Sequence, residues 1–375
     1  ACLFAIEQGH QALLMAPTEV LARQHGRGLR RLCEPLGVTV ETLCGSTPAA
    51  ERRAILAGVA AREIDLLVGT HAVIQEDVRI PGLALSVVDE QHRFGVRQRG
   101  KSAAAEVTGQ AHVLVMSATP IPRSLSLTLY GDLDLSIIDE LPAGRRPIRT
   151  DIAREKEEQA VWDSFRRELA AGRQAYVIYP VIEETEGQDL KAATVEFERL
   201  RDEVFPDRTV ALLHGRLKPR EKDAVFADFA AGRIDLLVAT TVVEVGVDVA
   251  NATAMVIHNP ERFGLAQLHQ LRARIGRGEH ASRCWLLVDR FLAEESFARI
   301  RFFAAHTDGF TLAEEDLRLR GPGDAWGVRQ SGAPGFRLAN PLQDAEIARL
   351  CREDARRLLE QDPGLAGPDG RTVRT

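Results

Sequence analysis

The chain has 375 residues, of which 45% are hydrophobic and 27% are charged, and it carries a formal net charge of −6 at pH 7. This length suits two or three globular domains, and no apolar run reaches the roughly 18–20 residues that a membrane-spanning helix needs. The negative charge excludes a protein coated in basic residues but allows a local basic track, because phosphate binding needs positive charge only along the path of contact.

The first elements are predicted from short apolar runs. Residues Ala1–Ile6 form an apolar helical stretch that stops at Gly9, a residue typical of helix C-caps. The stretch has no basic n-region and no cleavage site, so we expect no signal peptide, and its opening on Ala in mid-helix indicates a fragment. Runs of strand length follow at 12–16, 65–69, 85–88 and 112–116.

The second half continues the alternation of strands and helices. Asp139–Thr150, with its prolines and arginines, predicts a linker, and a helical stripe over 161–169 is closed by Gly172. Residues 290–375 read as helices and loops without strands. Alternation of this kind predicts parallel sheets covered by helices. The strand candidates here are 175–180, 209–213, 235–239, 254–258 and 284–288.

The chain also contains an internal repeat. Shifted by 170 residues, Leu43–Thr70 matches Leu213–Thr240 without a gap, and both copies contain Ile-Asp-Leu-Leu-Val. Each copy reads as a strand end, a loop, an amphipathic helix and a second strand followed by Thr. Two copies of one α/β unit predict two similar domains in tandem. The alternative is chance similarity between helix–strand units, which the gapless register disfavours.

Two adjacent carboxylates follow one predicted strand. The run Ser86–His92 reads Ser-Val-Val-Asp-Glu-Gln-His, so Asp89 and Glu90 stand at a strand's carboxyl end, where parallel sheets bind ligands. Placed there, Asp89 can ligate Mg²⁺ and Glu90 can orient an attacking water. The alternative is an ordinary strand-to-helix turn with solvated charges.

Hydroxyl groups follow other predicted strands. Backbone NH groups and hydroxyls at such strand ends suit phosphates, although a plain helix N-cap explains each of these turns equally well when it is taken singly. The turns lie at 16–21, 69–71, 116–120 and 239–248.

An arginine-rich block lies near the end of the second half. Within 267–278, Arg274 and Arg277 are three residues apart, so on one helix face or in a tight turn they point the same way. Two guanidinium groups facing Asp89 and Glu90 across a cleft would neutralise a γ-phosphate during phosphoryl transfer. The alternative is a solvated arginine-rich helix.

The order of these motifs resembles that of superfamily 2 helicases and, more closely, of the RecG family of bacterial ATP-dependent DNA helicases. The stretch 308–334 resembles the translocation motif that this family shares with the transcription-repair coupling factor. The resemblance covers nearly the whole chain. It implies an α/β fold with two tandem RecA-like parallel-sheet domains and a helical C-terminal hairpin and loop, divided as 1–143, 144–289 and 290–375.

The resemblance also implies residue roles, with ATP and Mg²⁺ as cofactors. Asp89 would ligate the metal, Glu90 would be the general base, and Arg274 and Arg277 would be arginine fingers. ATP binding and coupling would involve Gln91, His92, Ser117, Thr119, Gly246, Asp248 and Gln270. Contacts with DNA would come from Pro17, Thr18, Thr70, His71, Thr240 and Thr241. The translocation motif would use Arg318, Arg320, Arg329 and Gln330.

The family reading predicts a motor that remodels branched DNA, by fork reversal and Holliday junction branch migration, in recombination and repair. Its partners would be stalled forks and junctions, with single-strand-binding protein as a further candidate. We expect a monomer in the bacterial cytoplasm, associated with the nucleoid and not with a membrane. Two alternatives stay open: a coupling-factor translocase, which Gln330–Pro334 disfavours, and a catalytically dead nucleic-acid-binding fragment, which the retained Glu90, Arg274 and Arg277 oppose.

Two departures from the family pattern matter. Ala273 stands where the pattern usually has Gly, which costs little unless the backbone needs a positive φ there. No GxxxxGK[ST] phosphate-binding loop occurs in the chain, and the family's wedge domain is missing. We expect the strand before that loop to be central in the first sheet, so that its loss leaves unpaired strands and exposed apolar surface. The polypeptide alone should therefore have very low ATPase activity and no unwinding activity.

Overall fold

The computed structural model describes residues 1–75, 77–90, 111–117, 134, 136–138, 140, 146–180, 186–240, 249–320 and 344–367. Two parallel sheets organise these residues, and helices cover both faces of each sheet. This arrangement confirms the predicted α/β fold class, with a helical region after the second sheet. No helix in the described ranges combines the length and apolar character needed to cross a membrane. All five cysteines are free thiols.

The first sheet has five parallel strands. They are β1 (Gln11–Met15), β2 (Val40–Leu43), β3 (Leu66–Gly69), β4 (Leu83–Val88) and β5 (His112–Val115). The helices around them are α1 (Cys2–Glu7), α2 (Glu19–Cys33) and α3 (Ala49–Ala60). The strand order is β2-β3-β1-β4-β5, which makes β1 central. Because β1 is covered on both faces, it is apolar at almost every position rather than at alternate ones.

The second sheet has six parallel strands in the order β6-β11-β10-β7-β9-β8. They are β6 (Arg149–Arg154), β7 (Gln174–Ile178), β8 (Val210–Leu213), β9 (Leu236–Ala239), β10 (Ala252–His258) and β11 (Arg283–Val288). The helices are α4 (Glu158–Ala170), α5 (Glu186–Arg199), α6 (Pro219–Ala230), α7 (Leu265–Arg272), α8 (Glu294–Ala305), α9 (Gly309–Arg320) and α10 (Ala345–Gln361). One face packs against α4 and α5, and the other packs against α6, α7 and α8.

The internal repeat is present in three dimensions. The strands and helix of the first copy, β2, α3 and β3, have counterparts in β8, α6 and β9, whose bounds all lie 170 residues further on. Even the loop contacts recur: the Thr39 amide donates to Asp65 Oδ2 at 2.8 Å, and the Thr209 amide donates to Asp235 Oδ2 at 2.8 Å. The sequence match therefore reflects a repeated folding unit and not chance similarity.

In each sheet, a buried glutamine at the start of a central strand hydrogen-bonds to the end of the repeat's helix. Gln11 Nε2 donates two hydrogen bonds to main-chain carbonyls at and just after the end of α3: one to Val59 at 2.9 Å and one to Ile64 at 2.8 Å. Gln174 Nε2 donates two bonds in the same way at 2.6 and 2.7 Å. Each glutamine closes the turn between a helix and its following strand, because the pinned carbonyls belong to Val59 and Ile64 and to Phe229 and Ile234.

One strand was missed and another was predicted only in part. The predicted linker ran to Thr150, but Arg149 and Thr150 belong to β6, which pairs in parallel with β11. β6 is a polar edge strand, and an ion pair between Asp151 and Arg283 at 2.6 Å joins it to its neighbour. β2 was predicted only through the repeat, as a strand that ends at Leu43, because its residues Val-Glu-Thr-Leu give a weak apolar signal. Edge strands need less apolar surface than central ones, so periodicity detects them poorly.

Candidate nucleotide and DNA site

The predicted carboxylate pair lies at the carboxyl end of β4. The Asp89 amide donates to the Met15 carbonyl at 2.9 Å, which prolongs the pairing of β4 with β1 up to the carboxylates. The Asp89 side chain contacts a helix residue, since its Oδ2 lies 3.0 Å from His25 Nε2 on α2. Glu90 has a φ of +51°, a left-handed conformation that non-glycine residues adopt rarely and chiefly at functional sites. The backbone thus presents two adjacent carboxylates at the end of the sheet that binds ligands in parallel folds.

The turn after β1 is built as a helix cap. Thr18 Oγ1 accepts a hydrogen bond from the Leu21 amide at 3.4 Å and begins α2. Glu19 Oε1 accepts from the Ser46 amide at 2.9 Å and so ties α2 to the loop after β2. The turn thus acts as a helix N-cap, which was the alternative to phosphate binding. The DNA contacts assigned to Pro17 and Thr18 stay predictions.

The two threonines that end the repeated strands are buried. Thr70 and Thr240 occupy matching positions, and each exposes 2% of its surface. Thr70 Oγ1 is buried and has no hydrogen-bond partner among the residues that the structure describes. Little of either side chain is open to a DNA phosphate, whereas the neighbouring His71 is exposed at the start of a short 3₁₀ turn. Contact between DNA and these strand ends stays a prediction.

The arginine turn follows α7 directly. Gln270 is buried within the helix, and Ala273 has φ −68° and ψ −5°, so the methyl group at this position costs no backbone strain. The turn itself depends on glycine. Gly276 has φ +72°, and a Cβ there would lie 2.7 Å from Ile148 Cγ1. A Cβ at Gly278 would lie 2.5 Å from the Ala250 carbonyl oxygen. The two glycines therefore fix the path of the segment that carries Arg274 and Arg277.

The two predicted finger arginines differ in exposure. Arg274 is half-buried and Arg277 is exposed, with Arg277 Nε donating to the Ala273 carbonyl at 2.9 Å. Burial raises the pKa of Tyr176, and the positive charges of Arg274 and Arg277 oppose that rise, which places both arginines near β7. Whether they face Asp89 and Glu90 across a cleft stays a prediction.

Sequence reasoning missed a buried arginine at the end of α7. Arg272 exposes 2% of its surface and donates to the carbonyls of Phe303 at 3.1 Å and His306 at 3.0 Å. Its guanidinium carbon also lies 4.2 Å from the centre of the Phe303 ring. Burial lowers the pKa of Arg272. The buried guanidinium therefore connects α7 to the end of α8. In the sequence, the only indication of its burial was its position next to the apolar Leu271.

A second joint links α7 to α9. Asp316 Oδ1 accepts from the Leu265 amide at 3.1 Å, which satisfies a free NH group at the start of α7. The predicted translocation residue Arg318 lies two residues after Asp316 on α9. It forms a hydrogen-bonded ion pair with Glu315 at 2.7 Å. That hydrogen bond raises the pKa of Arg318. The helix that carries Arg318 and Arg320 therefore packs directly on the helix that precedes the arginine turn.

Several predicted site residues lie outside the described residues. For Arg320 the helix is described but the side chain is not, and Ser117 lies just beyond β5. The calls outside the described ranges are Gln91, His92, Thr119, Thr241, Gly246, Asp248, Arg329 and Gln330.

The donor set at the carboxylates fits magnesium. Within the described ranges, no group of three or more His, Cys, Asp or Glu side chains is arranged to hold a metal ion. Mg²⁺ needs no such cage, since it keeps several waters and takes one or two carboxylates together with phosphate oxygens. Asp89 and Glu90 supply that kind of oxygen donor.

Three family models match consecutive parts of the chain. They are DEAD/DEAH box helicase over residues 1–128, helicase conserved C-terminal domain over 160–279, and ATP-dependent DNA helicase RecG, domain 3, C-terminal, over 306–374. A tandem pair of such parallel-sheet domains defines a two-domain helicase motor.

Relatives narrow this class. The chain is 52% identical over 371 residues to ATP-dependent DNA helicase RecG of Synechocystis, covering 98% of the chain and 44% of that protein. It is 46% identical over 375 residues to RecG of Escherichia coli K12, covering 97% of the chain and 54% of that protein. A structure of RecG bound to a three-way DNA junction matches with a TM-score of 0.73 and 43% identity, over 92% of this chain and 45% of that one. The chain belongs to the RecG family and spans about half the length of the relatives it matches.

Proposed function

We propose that this chain is the motor portion of an ATP-dependent DNA helicase or translocase that remodels branched DNA by fork reversal and branch migration in recombination and repair. The observation that carries the proposal is its similarity, over 92% of its length, to RecG bound to a three-way DNA junction. The geometry agrees, because a carboxylate pair ends a strand of the first sheet and a glycine-shaped arginine turn follows a helix of the second.

The proposed chemistry is hydrolysis of ATP. Mg²⁺, when bound, would neutralise charge on the phosphates, with Asp89 as its protein ligand. Glu90 would accept the proton of the attacking water, and its left-handed backbone would set the direction of its carboxylate. Arg274 and Arg277 would stabilise the charge that develops on the γ-phosphate. Gln270, buried beside them, would sense the nucleotide.

The units of the motor are proposed to be 1–143, 144–289 and 290–375. The division agrees with the positions of the two sheets and of the helices that follow them. We further propose that the motor acts as a monomer at the bacterial nucleoid, on forks and Holliday junctions, with single-strand-binding protein as a candidate partner.

The chain's own sequence limits its activity. It contains no GxxxxGK[ST] loop, so the amide cradle and lysine that normally hold the β- and γ-phosphates have to come from elsewhere. We therefore expect the 375-residue polypeptide to hydrolyse ATP at close to background rates.

A chimera tests the proposal. The part of E. coli RecG that precedes the region of similarity would be joined to this chain, and ATP hydrolysis and unwinding would be measured on a three-way junction. We expect DNA-stimulated hydrolysis, with Glu90→Gln reducing the rate by about 10²–10⁴-fold while junction binding persists. Glu63→Gln, which changes an exposed glutamate in the turn between α3 and β3 of the same domain, is the control and should leave the rate unchanged.

Two results would contradict the proposal. One is helicase-like hydrolysis by the 375-residue chain alone that Glu90→Gln abolishes. The other is a chimera that displaces stalled RNA polymerase but shows no preference for junctions, which would favour the coupling-factor alternative.

A further inference from the structure

His25 on α2 contacts the carboxylate that is proposed to bind magnesium. Its Nε2 lies 3.0 Å from Asp89 Oδ2, although 64 residues separate the two in sequence. Both side chains are sheltered, with 31% of the His25 side chain and 19% of the Asp89 side chain exposed. A carboxylate is an acceptor, so the ring nitrogen donates this bond. Neither the motifs nor the family resemblance assigned a role to His25.

The central strand β1 positions both His25 and Asp89. β1 pairs with β4 up to the bond between the Asp89 amide and the Met15 carbonyl at 2.9 Å. The same strand leads into the Thr18 cap that begins α2. His25 stands seven residues after Thr18, about two helical turns, so it faces the same side of α2 as the cap. The histidine and the aspartate are therefore both positioned relative to β1.

The next residue on α2 sets the distance of the helix from the sheet. A Cβ at Gly26 would lie 2.1 Å from Thr42 Oγ1 on β2, closer than any real contact. Glycine lets α2 pack this close while Thr42 keeps its rotamer. A larger residue would push against the Thr42 hydroxyl, and unless that side chain rotated, the helix would move outward and withdraw His25 from Asp89.

We infer that His25 is a positioning residue for Asp89. The bond to Oδ2 fixes the carboxylate rotamer and leaves Oδ1 as the oxygen for a cation. Partners that hydrogen-bond to a metal-ligating carboxylate orient it, and their loss typically costs about 10–100-fold in metal affinity. The inference rests on the proposed function, since it assumes that Asp89 ligates the metal. His25 itself is not a ligand, because Mg²⁺ prefers oxygen.

The test measures Mn²⁺ binding by electron paramagnetic resonance to the chimera described above, saturated with a non-hydrolysable ATP analogue so that phosphate oxygens complete the site. Mn²⁺ is the probe because it takes the same oxygen ligands as Mg²⁺. Asp89→Asn identifies the fraction of binding that belongs to the site. We expect His25→Phe to lower that affinity by at least 10-fold. His25→Gln, whose amide nitrogen reaches a similar position and can donate, should stay within about 3-fold of the parent chain. Circular dichroism checks that each variant is folded.

A second pair of variants tests the same geometry without touching the histidine. Gly26→Ala should weaken Mn²⁺ binding in the same direction as His25→Phe, and adding Thr42→Ala, which removes the clashing hydroxyl, should restore it. A His25→Phe chain that is folded and keeps its Asp89-dependent affinity would overturn the inference while leaving the metal role of Asp89 intact. Binding that Asp89→Asn does not alter would instead overturn that metal role, and the inference with it.

Discussion

Replacing Gln174 with alanine should destabilise the second sheet selectively. The substitution removes two buried hydrogen bonds, at 2.6 Å to the Phe229 carbonyl and 2.7 Å to the Ile234 carbonyl. The Phe229 carbonyl keeps a bond from the Gly232 amide at 3.0 Å, so its loss is the smaller of the two. Two such bonds contribute about 0.5–1.5 kcal/mol each, and a buried carbonyl deprived of its donor adds about 1–3 kcal/mol. We expect a total loss of about 2–6 kcal/mol in the free energy of unfolding.

Urea unfolding followed by tryptophan fluorescence measures this loss. Trp162 and Trp285 both lie in the core of the second sheet, so their emission reports on that unit. With a urea m-value of about 2 kcal/mol per molar, inside the usual range of about 1–3, the midpoint should fall by about 1–3 M. Gln11→Ala removes the matching pair of bonds from the first sheet and should leave the tryptophan transition in place. An unchanged midpoint for Gln174→Ala, or an equal shift for Gln11→Ala, would refute the reasoning.

Three further outcomes are expected from the second sheet. Gly276→Ala should cost about 1–3 kcal/mol in the same unfolding assay, because the residue has φ +72° and its Cβ would lie 2.7 Å from Ile148; a neutral result would contradict the fixed turn. Ala273→Gly should cost at most about 1 kcal/mol and leave junction binding unchanged, since φ there is −68°; a gain in stability would imply strain that the structure lacks. Burial lowers the pKa of His258 to about 3 from an ordinary value near 6.5, so the unfolded chain binds the proton first and stability falls as the pH drops below about 6.5. His258→Phe should remove a slope of up to about 1.4 kcal/mol per pH unit from the stability profile between pH 6 and 4, and an unaltered profile would argue against this assignment.

The strand cores and helix ends were predictable because their signals are local. A helix over 161–169 follows from apolar spacing, and α4 buries that stripe before Gly172, at φ +74°, closes it. The repeat was equally readable, since matching residues occur at a constant shift. The edge strand β6 was missed because polar residues dominate it, and the start of β2 was missed because its apolar signal is weak; the pairing of both depends on neighbours distant in sequence.

The candidate site was only partly predictable for a related reason. The Asp89–Glu90 pair and the arginine turn stand out as motifs, but a motif does not show which side chain touches which. The contact between His25 and Asp89 spans 64 residues and depends on the close approach that Gly26 allows. The hydrogen bonds of Arg272 depend on the carbonyls of Phe303, in α8, and of His306, just after it. Contacts of this kind arise from tertiary packing, which single-sequence patterns do not encode.

The edge of the first sheet has a practical consequence for work with this polypeptide. Among the described strands of that sheet, β5 is the last in the order, and its Val113 and Leu114 are 37% and 42% exposed. An apolar strand at a sheet edge is a template on which another chain can add a strand. The purified polypeptide should therefore self-associate as its concentration rises, and a lysine in place of Leu114 should raise its solubility. Light scattering on the two forms would separate loss of activity through aggregation from loss through chemistry.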